Sequence, residues 1–418
     1  MSSRQIQRVY LLLLVLQTLS ESLIWGINTL FLLDAGMTNA EAFGANAFFT
    51  AGMVLFEVPT GIVADTRGRR LSYIVGALTL AVSTLLYLLM WHLSAPFWAW
   101  AVASALLGLG FTFFSGAFEA WLVDALTFTG YFEEGGTLEA VLAKGEIVEG
   151  AAMLCGSIGG GALAQATNLG APYALRAILL ALTFGVALIW MQDIGFTPHR
   201  GKKAIEEIQI VLRGAITYGL ANPPVRWIML EAPFTGGVTL YAFYAMQPYL
   251  LQLYGHERAY LIAGLAAALV AGSQIAGGLL VPHLRRLFRR RTSVLLYATA
   301  LSALVLTAIG SIPNIWIVLV LLMVWGLVFA AATPVRQAYL NGLIDSAHRA
   351  TVLSFDAMIG SGGAAIVQPL LGRVADAYGY SVSYVAGAAI QSLSIPFIWL
   401  ARREHSASDS LTIDPKSD

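Results

Sequence analysis

Five ionisable residues stand inside long apolar runs of this sequence: Glu21, Glu119, Glu231, Arg336 and Asp356. Hydrophobic types make up 58% of the 418 residues and charged types 11%, whereas a soluble domain carries about a quarter charged residues. A chain this apolar takes a bilayer as its solvent. A charge placed there costs at least about 2.5–3.5 kcal/mol on insertion scales, so such residues are functional by default. The four acids outnumber the one arginine. Burial in a low dielectric disfavours a charged carboxylate. An acid excess therefore reads as a set of proton sites, a cation site, or both. If a proton and a cation compete for one carboxylate, exchange of one for the other follows.

Glu21 lies ~13 residues into the first apolar run, about 20 Å along a helix axis at 1.5 Å per residue, close to a membrane midplane. Its alternative role is a structural hydrogen bond to a neighbouring helix. Glu119 and Arg336 stand at similar heights in related runs and could pair as a salt bridge; Glu231 and Asp356 compete for the same arginine. Glu57, Glu146 and Glu149 fall near helix ends and read as interface or loop-packing residues. Aromatics accompany the acids, among them Trp25, Phe118, Phe234 and Tyr241, with Asn28, Gln17 and Gln247 as polar neighbours. Aromatic faces beside carboxylates suit lipophilic cations, although aromatics are also ordinary packing residues of membrane helices.

Other chemistries find no support. Cys155 is the single cysteine, so no internal disulfide forms. The six histidines fall in or next to polar connections and assemble no buried metal site. There is no GxxxxGK[ST] string for ATP, and no nucleophile and base that would make an intramembrane enzyme. The formal net charge is zero, so nothing points to nucleic acid.

The elements that must position these residues are membrane helices. Stretches of about 20 mostly apolar residues fall near 9–33, 41–64, 71–92, 96–126, 143–168, 172–192, 225–252, 258–282, 292–311, 314–343, 350–373 and 380–401. The first run continues too far for a cleaved signal peptide. With the N-terminus inside, twenty of the 24 Lys and Arg residues lie in or beside cytoplasmic segments. Arg176, Arg258 and Arg373 lie outside and Arg336 within a span, so both termini are expected in the cytoplasm. Residues 1–192 form one six-helix bundle and 225–403 a second. Residues 193–224 form a cytoplasmic linker in which Ile205, Ile208, Leu212 and Ile216 predict an amphipathic interfacial helix, and 404–418 a disordered tail. The halves repeat at a register of 218 residues: GLGFTFFSGAFEAWLVD (108–124) matches GLVFAAATPVRQAYLNG (326–342), with Trp121 aligned to Tyr339. The expected fold is an all-α membrane protein of twelve transmembrane helices in two pseudo-symmetric bundles.

The segment EVPTGIVADTRGRR (57–70) resembles the GxxxDxxGR[RK] signature of the major facilitator superfamily, matched at Gly61, Asp65, Gly68, Arg69 and Arg70. The SGAFEAWLVD and RATVLSF segments are similar to those of its drug:proton antiporter branch. The chain departs from that branch in lacking an arginine in mid span 4 and a proline in GSIGGGALAQ. The resemblance implies that spans 1, 4, 7 and 10, which hold Glu21, Glu119, Glu231 and Arg336, line a central cavity. It also implies that Gly61, Asp65, Gly68, Arg69 and Asp124 form a conformational latch. Asp124 ends a helix whose dipole disfavours an anion, and Arg69 is the candidate to offset it. The expectation is a monomeric, proton-coupled exporter of lipophilic or cationic molecules in the cytoplasmic membrane, driven by the proton gradient with no cofactor or metal. Uptake of a small metabolite such as a sugar or organic acid is the alternative.

Overall fold

The computed structural model describes residues 1–115, 117–198, 209, 213–345 and 348–411. Among these residues the fold is helical, with no strand beyond one isolated bridge between Arg290 and Ser410. The helices are α1 Ser3–Trp25, α2 Asn28–Asp34, α3 Asn39–Arg67, α4 Arg69–Leu93, α5 Phe97–Phe114, α6 Ala117–Phe128, α7 Leu138–Ala166 and α8 Gly170–Trp190. They continue as α9 Pro223–Tyr254, α10 Tyr260–Leu287, α11 Arg291–Ser311, α12 Ile315–Asn341, α13 Arg349–Ser392 and α14 Ser394–Arg403. α1 starts ahead of the apolar run because Ser2 and Gln5 form a capping box, which satisfies amides the first turn leaves open. The first and fourth spans are each broken, into α1 and α2 and into α5 and α6.

Ten stretches among the described residues are long and apolar enough to cross a bilayer. Thr351–Arg403 is a single apolar stretch of 53 residues, and within it two helices meet at a kink at Gly379, whose φ of 83° is non-helical. α9 has 32 residues, holds Glu231 and two internal prolines, and is not among the ten. Leu55, Val102, Ile189, Leu304, Trp316 and Ile366 are exposed. An apolar outer surface of this extent calls for lipid as its solvent.

The chain forms two compact units, Met1–Met37, Phe48–Glu207 and Glu257–Ala268 in one, and Thr38–Ala47, Ile208–His256 and Leu269–Asp418 in the other. Two segments thus depart from the 1–192 and 225–403 division. The start of α3 joins the second unit because the Asp376 carboxylate accepts from the amides of Asn39 and Ala40 at 2.8 and 2.9 Å. Gly372 leaves room for it, since a Cβ there would lie 2.8 Å from the Asn39 carbonyl oxygen. The start of α10 joins the first unit through Gly264, whose Cβ would stand 3.1 Å from the Gly161 Cα. Close approach through such small residues is how helices pack in lipid.

The tail departs from expectation. Residues 404–411 are ordered, while 412–418 of the expected disordered tail lie outside the described residues. Asp409 is buried and accepts from the Thr292 amide and hydroxyl at 2.8 and 2.9 Å, capping α11. The Ser408 hydroxyl donates to the Tyr339 carbonyl at 2.8 Å, and Arg291 donates to the Ser410 carbonyl at 3.0 Å. The start of the linker is fixed in the same manner. The Asp193 carboxylate accepts from the Arg70 amide at 2.8 Å, and Trp121 Nε1 donates to the Gln192 carbonyl at 2.7 Å. Ile205, Ile208 and Leu212 of the expected amphipathic helix lie outside the described residues. Ile216 sits exposed in a short π-helix, Ala215–Leu220.

Candidate functional site

The first unit contains a cavity of about 310 Å³. α1 supplies Tyr10, Leu14, Gln17 and Glu21, spaced so that they share one helical face, and α7 supplies Leu142, Glu146 and Glu149 in the same way. Phe111 and Phe114 of α5, Ser115, and Phe118 and Glu119 of α6 complete the wall with Met53. The faces meet because α7 seats directly on α1. A Cβ at Gly160 would stand 2.7 Å from the Leu23 carbonyl carbon. Gln17 Nε2 donates to Glu21 Oε1 at 3.2 Å, and Tyr73 donates to Gln17 Oε1 at 3.1 Å. The aromatic wall is packed on itself: Phe118 lies 5.0 Å from Tyr10 and 4.9 Å from Tyr73, centroid to centroid.

Four carboxylates therefore surround one space, and among the described residues no Lys, Arg or His lines it. Glu21 and Glu119 line this cavity of the first unit. Glu146 and Glu149, read from sequence as interface residues, line it too. The spacing of Leu142, Glu146 and Glu149 was the available signal, since one helical face carries all three. Arg176 is a second departure. Placed by the sequence at the outer end of the span at 172–192, it is 2% exposed, and its Nε donates to the Thr84 hydroxyl at 3.2 Å.

The second unit holds an ion cluster. Arg336 Nε lies 2.6 Å from Glu231 Oε1, and its two terminal nitrogens hold both Asp356 oxygens at 2.6 and 2.8 Å. Nη2 also donates to the Ile228 carbonyl at 3.0 Å, and Thr235 donates to the other Glu231 oxygen at 2.7 Å. One planar guanidinium thus ties α9, α12 and α13 by charge-assisted bonds. The expected pairing of Arg336 with Glu119 gives way to this arrangement. Arg336 is already committed to two acids, and Glu119 lies in the first unit at the first turn of α6, where a carboxylate is favoured.

In the loop between α3 and α4, Arg69 pairs with Asp65 and reaches Asp124 at 3.7 Å. Gly68 has a φ of 113°, which a side chain would strain. Among the described residues nothing lies within 4 Å of a Cβ built at Gly61, so no close approach requires a glycine there. Arg70 donates to the Leu188 carbonyl at 2.6 Å.

Of the aromatic and polar neighbours named from the sequence, Phe118 and Gln17 line the cavity. The others have different surroundings. Tyr173 donates to Asn28 at 2.9 Å, and buried Tyr241 donates to Ser383 at 2.5 Å while stacking against Phe43. Phe234 stacks on Phe397, Gln247 is buried at 0% exposure, and Trp25 ends α1 half-buried.

Helices with an apolar exterior, a cavity of acids and a glycine–arginine loop define a multi-pass membrane transporter rather than an enzyme. The sequence profile of the Major Facilitator Superfamily matches residues 10–366 and 284–415, and the chain belongs to that family. No curated protein sequence matches it. Among solved structures, the nucleoside transporter NupG is similar at a TM-score of 0.74 and 10% identity, covering 95% of this chain and 98% of that one. An auto-inhibited POT family peptide transporter is similar at 0.73 and 14%, covering 97% and 98%. A bacterial homolog to the human lysosomal transporter Spinster, inward-facing and unoccupied, is similar at 0.70 and 15%, covering 97% and 98%. At these identities the likeness is one of fold.

Proposed function

We propose that this protein works by alternating access and exports lipophilic or cationic small molecules, drugs among them, in exchange for protons. In this reading twelve spans cross the cytoplasmic membrane, both termini are cytoplasmic, and the protein acts as a monomer. The cavity carries the proposal, because Glu21, Glu119, Glu146 and Glu149 face one space walled by Tyr10, Phe111, Phe114 and Phe118. Four carboxylates around one space gather negative charge, which attracts a cation. A cation that enters displaces protons, and protons that return displace the cation. The aromatic wall favours a cation with apolar substituents. The proton gradient drives the cycle, and no resident cofactor takes part. Arg69 with Asp65 and Asp124 serves as the latch of the first unit.

The test adds tetraphenylphosphonium to purified protein in weakly buffered detergent. Proton release that is lost in Glu21→Gln and Glu149→Gln supports exchange. Absence of any proton release from the folded wild type sinks it. Proton uptake on binding would favour the second reading, proton-coupled import of a small metabolite, which draws on neighbours named as nucleoside and peptide transporters.

A further inference from the structure

A second cavity lies in the other unit, away from the acids. It is a cleft of about 170 Å³ lined almost wholly by carbon, from Leu280 of α10, Tyr297 and Leu301 of α11, Val328 and Ala332 of α12, and Phe288 in the turn between α10 and α11. Its origin is local. Gly277 brings α10 against α12, where a Cβ would stand 2.6 Å from the Leu327 carbonyl oxygen. α11 flanks that contact and leaves the cleft open at the side. Tyr297 is 65% and Leu301 44% exposed, so the cleft opens on the apolar exterior that a bilayer must cover.

The turn that closes one end of the cleft reads HLRRLFRRR, residues 283–291, with five arginines and no acid. Arg291 is committed to the carbonyls of Ser408 and Ser410. Arg289 is exposed and Arg290 half-buried, and among the described residues neither takes part in a salt bridge. Asp409 is spent on the α11 amides. Cationic side chains therefore stand at the polar end of an apolar cleft. That is the charge and shape of a phospholipid with an anionic headgroup. Basic clusters beside membrane helices attract such lipids.

We infer that this cleft is a binding site for an anionic phospholipid, with an acyl chain between α10, α11 and α12 and its phosphate against Arg289 and Arg290. Selectivity comes from the headgroup, because an acyl chain gains little by leaving surrounding lipid for an apolar wall.

The experiment uses delipidated full-length protein in neutral detergent, titrated with phosphatidylglycerol or phosphatidylcholine and followed by native mass spectrometry. One phosphatidylglycerol is expected to be retained in preference to phosphatidylcholine. The double variant Arg289→Gln/Arg290→Gln should lose roughly tenfold or more in apparent affinity for phosphatidylglycerol. Ala298→Trp, which fills the cleft, should abolish retention of either lipid while unfolding temperature without lipid stays within a few degrees. Equal retention of the two lipids by wild type overturns the inference. So does an unchanged preference in the arginine variant, or full displacement of phosphatidylglycerol by millimolar inorganic phosphate, which would mark a free-anion site.

Discussion

Removing Arg336 tests the electrostatics of the second unit most directly. Glu231 and Asp356 are 3% and 7% exposed, and both are held by the same guanidinium. Arg336→Gln leaves two buried carboxylates without a counter-charge, a change that costs about 3–5 kcal/mol when a buried pair is broken from one side. Asp356→Asn is gentler. Arg336 keeps Glu231 at 2.6 Å and the Ile228 carbonyl at 3.0 Å, and the loss is about 1.5–3 kcal/mol for charged hydrogen bonds. The triple change Glu231→Gln/Arg336→Gln/Asp356→Asn removes every charge and should recover most of the stability, as uncharged replacements of buried ion pairs often do. At about 2–4 °C per kcal/mol for a unit of this size, the single arginine variant melts ~6–20 °C lower than wild type. Thermal unfolding followed by size-exclusion in one detergent measures this. If Asp356→Asn is as damaging as Arg336→Gln, or if the triple variant is no better than Arg336→Gln, the account of Arg336 as shared counter-charge is wrong.

Three further perturbations address other parts of the molecule. Gly160→Val drives a branched side chain into the Leu23 backbone and should open the α1–α7 contact, seen as faster labelling of a cysteine placed at Ala152; unchanged labelling would mean the two helices can shift to accommodate it. Truncation after Arg403 removes the Asp409 cap of α11 and should lower stability by about 1–3 kcal/mol for a buried carboxylate on helix amides. Asp409→Asn should reproduce part of that loss in the same thermal assay, and a truncated chain as stable as wild type would contradict the docking. Asp65→Asn frees Arg69 from one partner and should shift the conformational distribution toward the inward-open form; identical spin-label distances on both faces would count against a latch.

Much of the architecture is legible in composition and periodicity, because apolar runs near 20 residues admit few solutions in a bilayer. The acids of the first cavity are half legible. Glu21 and Glu119 stand out by lying in apolar runs, whereas Glu146 and Glu149 sit beside Lys144 and resemble any helix end. Their role depends on α7 seating on α1, a tertiary fact. Arg336 shows the converse: its depth is plain from sequence, but the choice among Glu119, Glu231 and Asp356 rests on which helices meet. The tail is illegible for another reason. A polar, serine-rich segment looks disordered until a helix with open amides takes up Asp409.

The two closing segments bear on where this protein can be divided. Residues 192–193 fasten to Trp121 and to the start of α4, as 408–409 fasten to Tyr339 and to the start of α11. Trp121 and Tyr339 are partners in the internal repeat. Each half read from the sequence thus extends beyond its helices and ends in a segment fastened back onto it. A scheme that expresses the two halves from separate genes should cut after residue 198 rather than after Trp190. The earlier cut would give the fastening segment of the first half to the wrong polypeptide.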